Sequence, residues 1–135
     1  MSRFTMGRAV PAALAVLAIV GSGTAARANI KDYEFQVVDT AIKAGPDRTI
    51  TVKLVNKTNG KPVPDAVIFA TRLDMAPDGM AEMATKVTPL PSTEPGIYRF
   101  KASLNMAGGW QLSLGAKVQG ETGTVENKLV IRAEQ

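Results

Sequence analysis

The sequence PGIYRFKASLNMAGGWQLSLGAKV, residues 95–118, contains two stretches of alternating apolar and polar residues on either side of a glycine turn. The apolar positions of the first stretch are Tyr98, Phe100, Ala102 and Leu104. Those of the second are Trp110, Leu112, Leu114, Ala116 and Val118. A period of two is typical of a strand with one buried face, and Ala107-Gly108-Gly109 reverses the chain between the stretches. The segment therefore predicts two strands that each contribute one face to a hydrophobic core.

Shorter stretches of the same kind predict five further strands. They cover residues 33–37, 50–54, 66–73 and 82–87, and a last strand is marked by Leu129 and Ile131. Glycine and proline mark turns at residues 43–47, 59–60, 89–96 and 120–123. The strand at residues 66–73 is apolar on both faces at its start, which indicates a buried strand. Seven strands with regular turns and no helix predict an all-β fold, an immunoglobulin-like antiparallel β-sandwich.

The first 28 residues have the layout of a secretory signal peptide. Arg3 and Arg8 precede an apolar run over residues 9–20, and Ala26-Arg27-Ala28 forms a small-residue cleavage motif. The run has 12 residues, fewer than the roughly 20 that a membrane-spanning helix needs. We therefore expect cleavage after Ala28, which leaves one periplasmic domain over residues 29–135. An uncleaved N-terminal anchor is the alternative.

Removal of this leader leaves an almost neutral chain. The whole sequence has 16 basic and 12 acidic residues, a net charge of +4, but Arg3, Arg8 and Arg27 belong to the leader. The mature chain then keeps 13 basic residues against 12 acidic ones, so its charge does not predict binding to nucleic acid. No small-molecule substrate is evident from its motifs.

The chain has no cysteine and no histidine, which excludes several kinds of site. A Ser-His-Asp or Cys-His nucleophile, a zinc site of the usual ligands and a blue-copper site each need at least one of these residues. Nothing in the sequence makes a general base poised near neutral pH, so we expect a protein that is not an enzyme. A bound metal would have to use thioethers and carboxylates.

Methionines are the most specific candidate ligands in the sequence. The stretch LDMAPDGMAEM, residues 73–83, contains Met75, Met80 and Met83, and Met106 lies close to Trp110. If successive strands run in opposite directions, the connections at residues 43–47, 74–81 and 105–109 lie at the same end of the domain. All four methionines of the mature chain are therefore expected at one end.

A group of thioethers favours copper(I), a soft ion that prefers sulfur to oxygen. Methionine has no proton to lose, so it can act as a ligand at any pH. Met75, Met80 and Met83 are the first ligands that we expect, with Met106 as a fourth ligand or a support. Trp110 is expected to cover the ion through a cation–π contact.

Two other interpretations of these residues stay open. Methionine is also a flexible core filler: Met106 continues the inward series of its strand, and Met83 and Trp110 also suit core positions. Asp74, Asp78 and Glu82 recur every four residues beside the same turn and could hold a hard cation such as Ca²⁺. Their spacing is not that of an EF-hand, and carboxylates on a solvated loop are the competing account.

The motifs taken together resemble the YtkA-like family, which is related to FixH proteins. The chain has GKPVPDA at residues 60–66, a methionine-rich segment, and the pattern G-x-Y … M-x-G-x-W from Gly96 to Trp110. The resemblance implies an immunoglobulin-like sandwich outside the cytoplasmic membrane, beside copper-handling, heavy-metal efflux or cytochrome-oxidase assembly components. The family's methionine-rich segment often carries histidine as well, which this chain lacks, so its site would be formed by thioethers alone.

The sequence and the resemblance together predict a periplasmic protein that binds or passes on copper(I) and works with a membrane efflux or oxidase-assembly complex. The alternative is an interaction module without a metal. In that case the methionine-lined end is an adaptable apolar surface that docks on such a complex.

Overall fold

Ten β-strands form within residues 30–135, which are the residues described by the computed structural model. The expected signal peptide, residues 1–28, lies outside this range. The strands are β1 (Tyr33–Val37), β2 (Ala41–Lys43), β3 (Gly45–Asn56), β4 (Lys61–Pro62), β5 (Val67–Met75), β6 (Met80–Thr85), β7 (Val87–Leu90), β8 (Ile97–Leu104), β9 (Gly108–Lys117) and β10 (Val125–Glu134). Two 3-10 turns, Ile30–Asp32 and Ala76–Asp78, complete the structure. None of the helical segments in residues 30–135 has the length and hydropathy needed to cross a membrane.

The strands form two sheets of five strands each. The first sheet has the order β1-β3-β8-β7, with β4 paired to β3. The second has the order β2-β10-β9-β5-β6. All pairs are antiparallel except β2 and β10, which are parallel. This arrangement confirms the predicted all-β, immunoglobulin-like sandwich.

The core lies between the two sheets and contains the side chains that the alternation predicts. In β8, Phe100, Ala102 and Leu104 are buried, and Tyr98 is half-buried. In β9, all four predicted inward residues are buried, Trp110 among them, and the fifth, Val118, is buried just after the strand ends. Since β8 and β9 belong to different sheets, the two stretches that flank the glycine turn contribute opposite walls of one core.

The predicted strand at residues 82–87 is divided between the two sheets. β6 forms the edge of the second sheet and ends at Thr85, whereas β7 begins at Val87 and forms the edge of the first sheet. Only Lys86 separates them. β7 also includes Pro89 and Leu90, which the sequence assigns to a turn, because an edge strand tolerates a proline on its unpaired side.

The predicted turn at residues 43–47 is a second crossing between sheets. Lys43 ends β2 in the second sheet, and Gly45 begins β3 in the first, with Ala44 between them. Gly45 has a φ of 147°, a conformation that favours glycine and allows the chain to change sheets without a longer loop.

The prediction that residues 66–73 are buried on both faces is wrong at the start of β5. Val67 is 61% exposed and Phe69 is 56% exposed. Within residues 30–135 no further layer covers the outer face of the second sheet, so its outward apolar residues stay exposed. Phe69 lies at a register shift between Ile68 and Ala70, and its ring approaches the backbone of Gly115.

Tyr98 lies at the start of β8, and its hydroxyl closes a corner of the sandwich. It donates a hydrogen bond to the Val63 carbonyl at 2.9 Å and accepts one from the Ala66 amide at 3.0 Å. These two bonds tie the segment before β5 to β8. Burial, with a smaller contribution from the charge of Asp65, raises the pKa of Tyr98 above its ordinary value near 10, although the bond from Ala66 opposes the shift.

Replacement of Tyr98 by phenylalanine should destabilise the fold, because the Val63 carbonyl and the Ala66 amide lose a shared partner. We expect a loss of about 1–3 kcal/mol in the free energy of unfolding, measured by urea denaturation near neutral pH. The control is Tyr33→Phe, which removes a hydroxyl bonded only to the Glu121 side chain and should cost less.

The unfolding free energy of the parent and of Tyr98→Phe should also depend differently on pH in alkaline solution. The folded state holds the Tyr98 proton more tightly than the unfolded chain, so this group's contribution to stability is present below pH 10 and lost as the pH rises. The difference in unfolding free energy between the parent and Tyr98→Phe should therefore become smaller above pH 10. A difference that becomes larger there would contradict the assigned burial of the hydroxyl.

Candidate metal centre

Three chain segments that the strand order places together do meet at one end of the sandwich. The Gly109 amide donates a hydrogen bond to the Asp78 carboxylate at 3.2 Å, which joins the β8–β9 turn to the β5–β6 turn. A hollow of about 440 Å³ at the same end is lined by Ala44, Gly45, Asn105, Met106, Ala107 and Gln135. We call this region the methionine end, after Met75, Met80, Met83 and Met106, which belong to β5, β6 and the β8–β9 turn.

Met75, the last residue of β5, is completely buried and belongs to the hydrophobic core. Core packing, which the sequence suggested for Met83, Met106 and Trp110, therefore holds for Met75: the exposed turn begins only after it, at Ala76. Its methyl group packs on the β8–β9 turn, where a Cβ atom at Gly108 would lie 2.9 Å from Met75 Cε and in contact with the Asp78 carboxylate. Gly108, with a φ of 140°, thus leaves room for both side chains.

Met80 lies next to Met75 across the β5–β6 ladder. The two residues are register partners where that ladder shifts after Asp74. Directly paired residues of antiparallel strands have Cβ atoms about 4.5–5.5 Å apart, so their side chains can touch. Met80 is half-buried and packs against the core, which makes these two thioethers a pair that reaches from the interior towards solvent.

Met83 and Met106 are the exposed members of the group. Met83, on the edge strand β6, is 41% exposed, and Met106, in the β8–β9 turn, is 40% exposed. The interpretation of Met106 as a continuation of the inward series of β8 is wrong, because β8 ends at Leu104 and the chain turns away. Its carbonyl instead accepts a hydrogen bond from the Trp110 indole N–H at 3.0 Å.

Trp110 is buried in the core, as one of its two predicted roles requires. Its indole N–H ties it to the backbone of Met106, so the ring lies beneath the β8–β9 turn. A rearrangement of that turn would change the surroundings of the indole, which makes Trp110 a natural fluorescent reporter for this end of the molecule.

The carboxylates of the same segment have structural roles. Asp74 is buried, and its two oxygens accept hydrogen bonds from Arg72 Nε at 2.7 Å and from the Ala76 amide at 3.0 Å. Asp78 caps the Gly109 amide. Within residues 30–135 no three acidic side chains are grouped so that they could hold a metal ion. The structure thus gives no support to the Ca²⁺ alternative built on Asp74, Asp78 and Glu82.

Arg72 is a contributor to this end that the sequence analysis missed. Besides its ion pair with Asp74, its guanidinium donates from Nη2 to the Ala81 carbonyl at 2.8 Å, so it holds β6 against β5. The signal was available, because residues two apart on a strand share a face and Arg72 and Asp74 have opposite charges.

The fold defines the class of the protein, an all-β immunoglobulin-like sandwich. Within that class, the chain belongs to the YtkA-like family, whose model matches residues 27–115. The match spans the expected start of the mature chain, β1 to β8 and most of β9. A relation to FixH proteins stays a prediction.

Two solved structures are similar to this chain. The Lin-41 filamin domain is 19% identical with a TM-score of 0.43, over 76% of this chain and 94% of that one. The ZirS C-terminal domain is 15% identical with a TM-score of 0.46, over 100% of this chain and 88% of that one. A search of curated proteins found no match. Both TM-scores lie below 0.5, so the description of the fold stands on the strand topology.

Replacement of Gly108 by alanine should destabilise the methionine end, because the new methyl group would meet Met75 and Asp78. We expect a loss of about 2–4 kcal/mol in unfolding free energy, from a strained backbone together with overpacking. The control is Gly120→Ala, which has a φ of 85° and nothing within 4 Å, and therefore shows the backbone cost alone. Equal losses in the two variants would contradict the tight contact at Gly108.

Proposed function

We propose that this protein is a non-enzymatic accessory module of the periplasm that binds copper(I) through thioethers at its methionine end. The observation that carries the proposal is the cross-strand pair Met75 and Met80 beside the turn that carries Met106. Membership of the YtkA-like family and the leader-like first 28 residues support an extracytoplasmic accessory role.

The donor atoms available at the methionine end are thioether sulfurs, which suit a soft metal ion such as copper(I). The chain offers neither thiolate nor imidazole, and the carboxylates of Asp74 and Asp78 are engaged with Arg72 and with backbone amides. Thioethers bind copper(I) without giving up a proton, so binding would not depend on the ionisation of a ligand. A methionine cluster also keeps its ligands in an oxidising compartment where thiols would form disulfides.

The burial of the four methionines suggests how an ion would enter. Met106 and Met83 lie at the surface, Met80 is half-buried and Met75 lies in the core. We propose Met75 and Met80 as the inner ligands and Met83 and Met106 as the exposed ones. An ion would thus meet exposed sulfur first and would be partly shielded from water once bound. A membrane efflux or oxidase-assembly complex is the proposed source or recipient of the ion.

The competing function is docking without a metal, and the exposure of Met83 and Met106 favours it. Unbranched thioether side chains adapt to irregular partner surfaces. Metal binding needs the sulfur atom of methionine, whereas docking needs only its apolar volume. Methionine-to-leucine exchange keeps the apolar volume and would leave docking nearly unchanged, whereas it removes a metal ligand.

Anaerobic titration of the protein with copper(I) against a coloured competing chelator tests the metal function. We expect one equivalent to bind, with a change in Trp110 fluorescence, because the indole is bonded to the Met106 carbonyl. Met80→Leu and Met106→Leu should each weaken binding by about tenfold or more, as the loss of one ligand in a small set costs at least about 1.4 kcal/mol.

The matched control is Val67→Leu, which exchanges an exposed apolar residue at the opposite end of β5 and should bind copper(I) like the parent. If the chelator keeps all the copper at every accessible protein concentration, the metal function is wrong. Equal affinity in the parent and both leucine variants would likewise reject the assigned ligands. Docking would then be the remaining function for this end.

A further inference from the structure

One edge of the second sheet is only partly covered. β5 pairs with β9 along its length, but on its other side β6 pairs only with Leu73, Asp74 and Met75. Residues 67–72 therefore have no strand beside them on that side within residues 30–135. In a strand, alternate residues direct their amide and carbonyl groups to the same side, so roughly three residues present unpaired backbone groups here.

The uncovered edge is apolar and borders a groove. Val67 and Phe69 are both more than half exposed. A groove of about 640 Å³ lies between this part of β5 and the segment that connects β7 to β8, and its walls include Ile68, Thr71, Leu90 and Ile97. Exposed apolar edges readily pair with another strand, and proteins usually blunt them with charge, proline or a bulge. The register shift at Phe69 is such a bulge, but the strand VIFATR has no proline and only one charge, at its end.

The charges that flank the edge are complementary to those of a second copy. Asp65 precedes β5, is exposed and makes no salt bridge within residues 30–135. At the other end, Arg72 has a half-exposed side chain that uses Nε and Nη2 within its own chain and keeps Nη1 for another acceptor. If two copies pair antiparallel around a two-fold axis between Ile68 and Phe69, the segment just before β5 in each copy, which carries Asp65, lies beside Arg72 of the other.

We propose that two copies of this protein associate through the free edge of β5, where residues 67–70 of each copy pair antiparallel and join the two second sheets into one. Such an isologous contact repeats each interaction twice, including the ion pair between Asp65 and Arg72. The edge is short and the bulge at Phe69 interrupts its regular hydrogen bonding, so the dimer is reversible and depends on concentration. This inference is independent of the proposed copper site, which lies at the other end of β5.

Sedimentation equilibrium over a wide range of protein concentration, combined with amide hydrogen exchange, tests the proposal. We expect a monomer–dimer equilibrium, with exchange in residues 67–72 slower at the high concentration than at the low one. Phe69→Lys should abolish the dimer, because it places a charge in the middle of the paired edges. Val130→Lys, which changes an equally exposed apolar residue on β10, should dimerise like the parent.

Asp65→Asn provides a second variant that does not alter the edge itself. Asparagine tolerates the positive φ of 63° at this position, so the fold should persist while both ion pairs are lost. We expect a dimer weakened by about three- to tenfold, from two surface ion pairs. A parent that stays monomeric at all concentrations overturns the proposal. A dimer that leaves exchange in residues 67–72 unchanged also overturns it, as does equal dimerisation of Phe69→Lys.

Discussion

The burial of one face of β8 against one face of β9 is the interaction on which the rest of the structure depends. No disulfide can supplement it, because the chain has no cysteine. The seven buried apolar residues of these two strands therefore have to bring two different sheets together by packing alone. The glycine turn between them does more than reverse the chain. Gly108 and Gly109 let the β5–β6 turn come close enough for Asp78 to cap a backbone amide, so the core and the methionine end are held by the same pair of strands.

The sequence predicted the features that depend on period-two alternation and on turn chemistry. Tyr98, Phe100 and Trp110 lie where their spacing places them, and the strand order brings residues 74–81 and 105–109 to one end. The sequence-based prediction failed where the sheet or the burial of a residue depends on which sheet its neighbours join. No local pattern at Lys86 or Ala44 indicates that the chain changes sheets there. Val67 and Phe69 carry the composition of a buried strand, yet nothing in their own sequence shows that the outer face has no cover.

The candidate site was predicted only in part, for a reason particular to methionine. A buried carboxylate or imidazole usually needs a partner, which marks it as functional or paired, whereas a thioether packs as an apolar group and needs none. Met75 is a full member of the core and at the same time the neighbour of Met80. Burial alone cannot tell these roles apart for this residue type. The two roles are also compatible: core packing fixes the position of one sulfur, which reduces the number of flexible side chains that an ion has to order.

The parallel pairing of β2 with β10 has a mechanical consequence. In a parallel ladder, the chain enters one strand at the same end at which it enters the other, so the segment before β2 and the segment after β10 leave from opposite ends of the ladder. Tension that reaches β2 from the preceding chain while β10 is held at its far end would pull the two strands along each other. The backbone hydrogen bonds between β2 and β10 would then all bear the force at once instead of breaking one after another. If the chain is tethered on its N-terminal side, this small ladder would resist extension of the domain once the β1–β3 ladder, which precedes it in the chain, has opened.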